Sequence, residues 1–229
     1  AFTPKTQRLN LGHLQGLAFN LTTRKLQAGT TVIGYIAFNY FLPQAILPLR
    51  NAFKAFHNLP LILIDLRGNP GGLGIMACTL MGMFCAERTR FGISRMADGS
   101  TFFYQPFPID EPYTGKIAVL IDETTASTAE IFAAGVRDLK RGILLGRPSM
   151  GAVLPSFIIR INGGLVVQVP VGNYQTVNGK KLEGEGVKPD KLIPFPPSPQ
   201  TPDPILQQSL QAIATYLHAT PETQETSTP

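Results

Sequence analysis

Two kinds of hydrophobic pattern follow one another along the chain. Runs rich in Val, Ile, Leu and aromatic residues predict strands at 31–41, 59–67, 115–122 and 142–146. The run "LPLILIDLR" at 59–67 is apolar at almost every position, which is typical of a parallel strand buried on both faces. Between the runs, apolar residues recur every three or four positions and predict amphipathic helices.

The predicted helices occupy 43–58, 73–86, the segment after residue 122, and 203–219. Strands that alternate with helices indicate an α/β domain, with a largely parallel sheet flanked by helices and right-handed crossovers.

The remaining segments complete a single domain. Two short strands are predicted at 90–94 and 101–104, and "VLPSFIIRI" and "LVVQVPV" flank the turn "NGG" to predict an added β hairpin. We expect one core over residues 1–218, with extended lead-in strands in 1–30. The polar tail, residues 219–229, is predicted to be disordered.

Composition excludes several classes of function. The net charge of +5 comes from scattered Lys and Arg, without the basic stripe of nucleic-acid-binding proteins. No apolar run reaches the roughly 18 residues that a membrane span needs. Cys78 and Cys85 are two helical turns apart, too far for a disulfide, and are predicted to be small buried apolar residues. We expect no metal site and no cofactor, because the three His are scattered and no Cys-x-x-Cys occurs.

The segment "DETTASTAEIFAAG" places Ser127 where a predicted strand gives way to a helix. With Glu130 it forms the S-x-x-E pattern of a capping box, and on this evidence alone a helix cap is the favoured interpretation. A serine at this junction is also well placed to be a nucleophile, since the free N–H groups of a helix N-terminus stabilise an oxyanion.

A second loop is expected beside this serine. Parallel strands bring their carboxyl ends to one edge of the sheet, so the loops after Asp65 and Asp122 should meet there. The glycine turn "NPGG" would then supply an N–H group from Gly71 or Gly72, and the helix would supply that of Thr128. By itself, the turn is better explained by the shape of a tight strand-to-helix connection, which needs glycine.

Five segments resemble one known family: "YIAFNYF", "LILIDLRGNPGG", "AVLIDETTASTAEIFAAGVRD", "ILLGRPSMG" and "VNGKKLEGEGVKPD". In this order they resemble the S41 serine peptidases, the carboxyl-terminal processing proteases and their tricorn-type relatives, over roughly residues 31–193. The resemblance implies a ClpP/crotonase-like core, hydrolysis of peptide bonds, and a nucleophile at Ser127. It also implies a location in the bacterial periplasm or cell envelope.

One position departs from the processing proteases. Their general base is a lysine, and the matching residue here is Ala152, with Ser156 in place of a following glutamine. The alanine is an engineered substitution, a natural divergence to another base, or a loss of catalysis. Two departures together favour natural divergence.

The tricorn-type relatives also lack that lysine. The resemblance implies that a histidine from an upstream segment is the base and that Glu183 supports it; a solvated turn carboxylate is the alternative for Glu183. His13, His57 and His218 are interpreted as structural, so the base is expected before residue 1 or is absent.

The sequence therefore predicts a serine endopeptidase core acting on unfolded or C-terminal segments. Ser127 and Glu183 are its catalytic residues, and Gly71 and Thr128 form its oxyanion hole. A peptide or unfolded protein is the expected partner. The alternative is a non-catalytic peptide- or ligand-binding module on the same fold. An acyl-CoA enzyme of the crotonase type shares the fold but is disfavoured by "DLRGNPGG" and "GVKPD".

Overall fold

The computed structural model describes residues 7–11, 14–194 and 203–218. Its strands are β1 (Gln7–Leu11), β2 (Leu14–Phe19), β3 (Leu21–Ala28), β4 (Thr31–Phe38), β5 (Leu61–Asp65), β6 (Gly92–Met96), β7 (Thr101–Tyr104), β8 (Lys116–Ile121), β9 (Gly142–Gly146), β10 (Ser156–Arg160), β11 (Val166–Pro170), β12 (Gly172–Thr176) and β13 (Lys191–Leu192). Its α-helices are α1 (Ile46–Ala55), α2 (Ile75–Met81), α3 (Thr128–Asp138) and α4 (Pro204–His218).

The central sheet has six strands in the order β13-β9-β8-β5-β4-β3. β4, β5, β8, β9 and β13 run parallel, and β3 pairs antiparallel with β4 at the edge. The predicted largely parallel α/β sheet is confirmed. β10 and β11 form the predicted added hairpin, and β12, β6 and β7 form a separate antiparallel sheet.

Both faces of the central sheet are covered, which explains the continuous apolar runs. In β5, Ile62 and Ile64 pack into the core beneath α1, α2 and α3, whereas Leu61 and Leu63 pack on the other side with α4. All five side chains of β5 are buried. The alternation of side chains along a strand thus fills two cores from one run.

Helix boundaries differ from the prediction where the chain makes close contacts. α2 covers Ile75–Met81 rather than 73–86. It ends at Gly82, where a side chain would overlap the backbone of Phe107. Asp203 caps α4, since its Oδ1 accepts the N–H groups of Ile205 and Leu206, each at 3.1 Å.

Other sequence predictions concern side chains and segments. Cys78 and Cys85 are buried free thiols, and burial raises the pKa of each to about 11. Among the described residues, no helix is both long and apolar enough to span a membrane. His13 and the predicted tail, residues 219–229, lie outside the described residues.

Candidate active site

The two loops that follow β5 and β8 meet at one edge of the sheet, as the sequence predicts. β5 and β8 are parallel neighbours, with Asp65 level with Leu120. The Gly68 N–H donates to Thr124 Oγ1 at 3.0 Å, and the Thr125 hydroxyl donates to the Leu66 carbonyl at 2.9 Å. The glycine turn and the start of α3 are therefore held together by hydrogen bonds rather than by proximity alone.

Ser127 immediately precedes α3 in an unusual backbone conformation. Its φ is 56° and its ψ is −124°, a region that non-glycine residues rarely adopt. The side chain is half-buried and borders a cavity. A serine on such a sharp turn between a strand and a helix projects its hydroxyl towards a ligand.

Glu130 fixes this turn from inside the molecule. The residue is fully buried, and its carboxylate accepts four hydrogen bonds from neutral donors. Oε2 accepts the N–H groups of Ser127 and Ala152, both at 2.9 Å. Oε1 accepts the Ser149 hydroxyl at 2.6 Å and the Gly151 N–H at 2.7 Å. The carboxylate thereby joins the Ser127 turn to residues 149–152.

Ser127 and Glu130 form the predicted capping box. The Ser127 N–H donates to Glu130 Oε2, and the Glu130 N–H donates to the Ser127 carbonyl oxygen, both at 2.9 Å. Ser127 is therefore the N-cap of α3, and the same residue borders the cavity, so the two interpretations of this serine are compatible.

The cavity beside Ser127 has a volume of about 640 Å³. Its walls are mainly apolar and include Leu73, Met96, Tyr104, Ile131, Val153 and Leu154. Burial raises the pKa of Tyr104, so its ring lines the cavity as the neutral phenol. Among the described residues, no Lys, Arg, His, Asp or Glu lines the cavity.

Backbone donors at the cavity come from the helix and from the glycine turn. Neither the Thr128 N–H nor the Gly72 N–H has an acceptor among the described residues. Gly71 packs against the serine so closely that a Cβ there would lie 2.7 Å from Ser127 Cβ. However, the Gly71 N–H donates to Asn69 Oδ1 at 2.9 Å. The free N–H of the turn is therefore that of Gly72.

Glu183 lies behind the wall of the cavity rather than in it. Glu183 Oε2 accepts the Val153 N–H at 2.8 Å. Val153 follows Ala152, and Ala152 is exposed.

His57 and His218 are exposed, and neither lines the cavity. Among the described residues, the cavity brings together a serine and two residues with unpaired backbone N–H groups, Thr128 and Gly72, but no Lys, His, Asp or Glu side chain that could take the serine proton.

Two further residues, which the sequence analysis did not identify, shape the site. Asn69 is fully buried and bridges the Phe38 carbonyl and the Gly71 N–H. An Asn followed by Pro70 and Gly71 is typical of an Asx-turn, and this pattern could have identified Asn69 from the sequence. Ser149 donates to Glu130 and accepts the Val187 N–H at 2.7 Å, a link that nothing in the sequence indicated.

Within residues 7–11, 14–194 and 203–218, no group of three or more His, Cys, Asp or Glu is placed to hold a metal ion.

Comparison with known proteins places this geometry in context. The sequence model of peptidase family S41 matches residues 32–193. A carboxyl-terminal-processing protease of Picosynechococcus sp. is 26% identical over 72% of this chain and 40% of its own length. A probable CtpA-like serine protease of Staphylococcus haemolyticus is 25% identical over 72% of this chain and 34% of its own length. The chain thus spans well under half the length of these curated relatives.

Solved structures share the fold. The photosystem II D1 C-terminal processing protease superposes with a TM-score of 0.65 at 23% identity, over 76% of this chain and 48% of that chain. The tricorn protease superposes with a TM-score of 0.59 at 22% identity, over 82% of this chain and 18% of that chain. The family model matches most of the chain and therefore shows family membership as well as a shared fold. The chain belongs to peptidase family S41, a family of serine peptidases.

Proposed function

We propose that this chain is the core of a serine endopeptidase in which Ser127 is the nucleophile. The observation that carries the proposal is the strained Ser127 turn, which lines the same cavity as Thr128 and Gly72, two residues with unpaired N–H groups. Ser127 Oγ would bond to the carbonyl carbon of a peptide while its proton passes to a base. The amine leaves with that proton, and water then hydrolyses the ester.

The oxyanion would be held by Thr128 and the glycine turn. Thr128 is the first residue of α3, so its N–H also carries the partial positive charge of the helix N-terminus. Gly72 is a better second donor than the predicted Gly71, because the Gly71 N–H is occupied by Asn69. Gly71 contributes instead through its lack of a side chain, which permits the close approach to Ser127.

The general base would come from outside the described residues, as in the histidine-based arrangement that the sequence resembles. The exposed Ala152 leaves room for such a group at the position of the missing lysine. Glu183 contacts this segment through Val153 and is the carboxylate that would orient an incoming imidazole.

The cavity favours cleavage within a chain over release of a terminal residue. A carboxypeptidase needs a cation or several N–H groups to hold the terminal carboxylate. No Lys or Arg in the described part of the chain lines this cavity. The apolar walls suit apolar side chains beside the cleaved bond, and these are accessible in unfolded or C-terminal segments.

The cellular site of action is part of the same proposal. Similarity to CtpA-like serine proteases is compatible with a location in the bacterial periplasm or cell envelope. Fractionation of cells that express the tagged full-length protein tests this, and recovery in the cytosolic fraction would contradict it.

Covalent labelling by a fluorophosphonate probe tests the nucleophile. We expect Ser127→Ala to abolish labelling of the longest natural form of the protein. Ser156→Ala is the matched control, since Ser156 lines the same cavity but its hydroxyl donates to the Leu154 carbonyl at 2.8 Å. Equal labelling of the parent and Ser127→Ala would remove the proposed nucleophile.

A peptide-binding module remains the second candidate, supported by Ala152 and by the lack of a base among the described residues that line the cavity. If residues 1–229 alone are labelled, the base lies within them, and substitution of His13, His57 and His218 in turn identifies it. If no natural form of the protein is labelled but an unfolded polypeptide still binds, the binding module replaces the peptidase.

A further inference from the structure

One side of the cavity beside Ser127 carries a hydroxyl group among apolar residues. Tyr104, the last residue of β7, lines this cavity and is only 5% exposed. Gly74 lines the same cavity, and a Cβ added there would lie 3.0 Å from Tyr104 Oη. The hydroxyl end of the Tyr104 ring is therefore at the start of α2, beside the cavity wall.

Gly74 keeps the space beside this hydroxyl open. Its φ is −55° and its ψ is −36°, a helical conformation that any residue can adopt, so the backbone does not require glycine here. An alanine methyl group would instead crowd Tyr104 Oη and narrow the cavity. The space next to the hydroxyl, rather than the turn, accounts for this glycine.

The Tyr104 hydroxyl shares one hydrogen bond with the Ser94 hydroxyl, at 3.2 Å. Neither hydroxyl has another hydrogen-bond partner among the described residues. If Tyr104 donated to Ser94, the Ser94 proton would lack an acceptor at a residue that is 1% exposed, which is unfavourable. If Ser94 donates to Tyr104, the remaining proton belongs to the phenol and can be given to a ligand in the cavity. The second arrangement is therefore favoured.

The glycine turn connects this hydroxyl to the proposed nucleophile. A Cβ at Gly71 would lie 2.7 Å from Ser127 Cβ, and Gly74 follows three residues later. Three residues of chain span at most about 11 Å. Between them lies Gly72, whose unpaired N–H group would hold the oxyanion. A carbonyl held at Gly72 would bring the side chain of its own residue within reach of Tyr104.

We infer that the Tyr104 hydroxyl donates a hydrogen bond to the side chain of the residue that precedes the cleaved bond, and that it favours methionine there. This inference rests on the proposed function and names a substrate preference of the same site. Methionine is unbranched and apolar, and its sulfur accepts a hydrogen bond without bringing a donor into the cavity.

Other side chains with an acceptor fit the cavity less well. Glutamine would bring two N–H donors between apolar walls, where unpaired donors are costly. Glutamate would bring a charge, and no Lys, Arg or His lines the cavity among the described residues. Leucine fills apolar space but leaves the phenol proton without an acceptor.

The test compares peptides that differ only in one sulfur atom. Cleavage sites in reduced, carboxymethylated α-lactalbumin are first mapped by mass spectrometry, with the longest natural form of the protein. Internally quenched peptides then span the most rapidly cut bond, with either methionine or norleucine before it. Norleucine has a CH₂ group in place of the sulfur, so the ratio of the two kcat/KM values measures what the sulfur contributes.

Tyr104→Phe removes the hydroxyl and keeps the ring. Tyr40→Phe is the matched control, since Tyr40 lines the same cavity. We expect the parent and Tyr40→Phe to cut the methionine peptide roughly threefold to tenfold faster than the norleucine peptide, the usual net effect of one hydrogen bond. Tyr104→Phe should cut the two peptides at equal rates. Ser94→Ala should keep the parent ratio, because the phenol proton is not used by Ser94.

Several results would overturn the inference. Equal rates for the two peptides in the parent are one, and a methionine preference that Tyr104→Phe retains is another. A preference that is absent from the parent but present in Ser94→Ala would show that Tyr104 donates to Ser94. All variants are checked for cooperative thermal unfolding. If Tyr104→Phe does not fold, Gly74→Ala takes its place, and a ratio that this variant leaves unchanged would count equally against the hydroxyl.

Failure of the proposed function gives a different result. If the parent cleaves no bond, the proposed function fails, and binding of short unstructured peptides with methionine or norleucine at the centre is compared by fluorescence anisotropy. Tighter binding of the methionine peptide by the parent, lost in Tyr104→Phe, would support the role of the hydroxyl in recognition. Equal binding of the two peptides by the parent would overturn it.

Discussion

Two carboxylate clusters lie at the same edge of the central sheet and are held in different ways. Glu130 is fully buried, and all four of its hydrogen-bond donors are neutral. Asp65 and Asp203 instead share a cation, since Arg67 Nη2 lies 2.6 Å from Asp65 Oδ2 and 2.7 Å from Asp203 Oδ2. Neutral donors alone hold Glu130, whereas the second cluster combines an arginine with neutral donors such as the Tyr35 hydroxyl, which donates to Asp65 Oδ2 at 2.9 Å.

The kind of bond in each cluster suits the part of the molecule that the cluster holds in place. The donors of Glu130 are backbone and hydroxyl groups of fixed direction, and two of them lie in the Ser127 turn and the adjoining loop. Arg67 instead connects the end of β5 to Asp203, the cap of α4. Directional bonds specify a geometry closely, whereas an ion pair near the surface tolerates movement. We conclude that the first cluster sets the geometry of the Ser127 turn and the second anchors the C-terminal helix.

Gly71→Ala should disturb the Ser127 turn most, although Gly71 is not a hydrogen-bond partner of Glu130. The new Cβ would lie 2.7 Å from Ser127 Cβ and 2.8 Å from the Thr128 N atom, so the serine turn has to move. We expect fluorophosphonate labelling to fall by at least about 10²-fold, the usual cost of losing an oxyanion donor.

Gly68→Ala is the control for Gly71→Ala. Gly68 lies in the same loop and also has a positive φ, +71°, but an added Cβ there meets nothing within 4 Å. It therefore carries the backbone strain, of roughly 1–2 kcal/mol, without the clash. Similar labelling rates for the two variants would mean that contact between Gly71 and Ser127 has no role.

Glu130→Gln should have the next largest effect. A glutamine of the same shape presents an NH₂ group to two of the four donors, whichever way its amide is turned. Two buried donors are then left unsatisfied, which lowers the free energy of unfolding by roughly 2–4 kcal/mol. Displacement of the Ser127 turn should reduce the labelling rate by about 10²-fold.

The control is Glu185→Gln, in which an exposed carboxylate of the neighbouring loop is changed in the same way. The maximal rate of inactivation and the affinity for the probe are measured separately, below the melting temperature of each variant. A lower maximal rate with unchanged affinity indicates displaced geometry. If Glu130→Gln is less stable but is labelled as fast as Glu185→Gln, the Glu130 carboxylate has a structural role only.

The sequence predicted the sheet better than the contacts that shape the site. Buried strands such as β5 were predictable because covering both faces of a sheet demands an apolar residue at every position. Ser127 and the glycine turn were placed together because β5 and β8 are parallel neighbours. The engagement of the Gly71 N–H by Asn69 and the positive φ of Ser127 depend on side-chain directions that no periodicity records.

Asp203→Asn gives the smallest expected effect and tests the ion-pair cluster. Asparagine still caps a helix, so the substitution removes the charge that pairs with Arg67 but keeps the cap of α4. Partial burial of Asp203 opposes ionisation, but hydrogen bonds from Arg67, Leu206 and Ile205 outweigh it and hold the pKa of the carboxyl below its usual value. Because the pair is partly exposed, we expect a loss of less than about 1 kcal/mol at pH 7.

The pH dependence gives this last prediction its sign. A carboxyl whose pKa is lower in the folded state stabilises the protein above its unfolded pKa of about 3.9, and that contribution is lost as the pH falls through the folded value. The difference in unfolding free energy between the parent and Asp203→Asn should therefore be constant from pH 5 to 8 and shrink below about pH 4. Urea unfolding at each pH measures it. A difference that persists unchanged at pH 3 would mean that Asp203 acts through its cap geometry and not through the charge shared with Arg67.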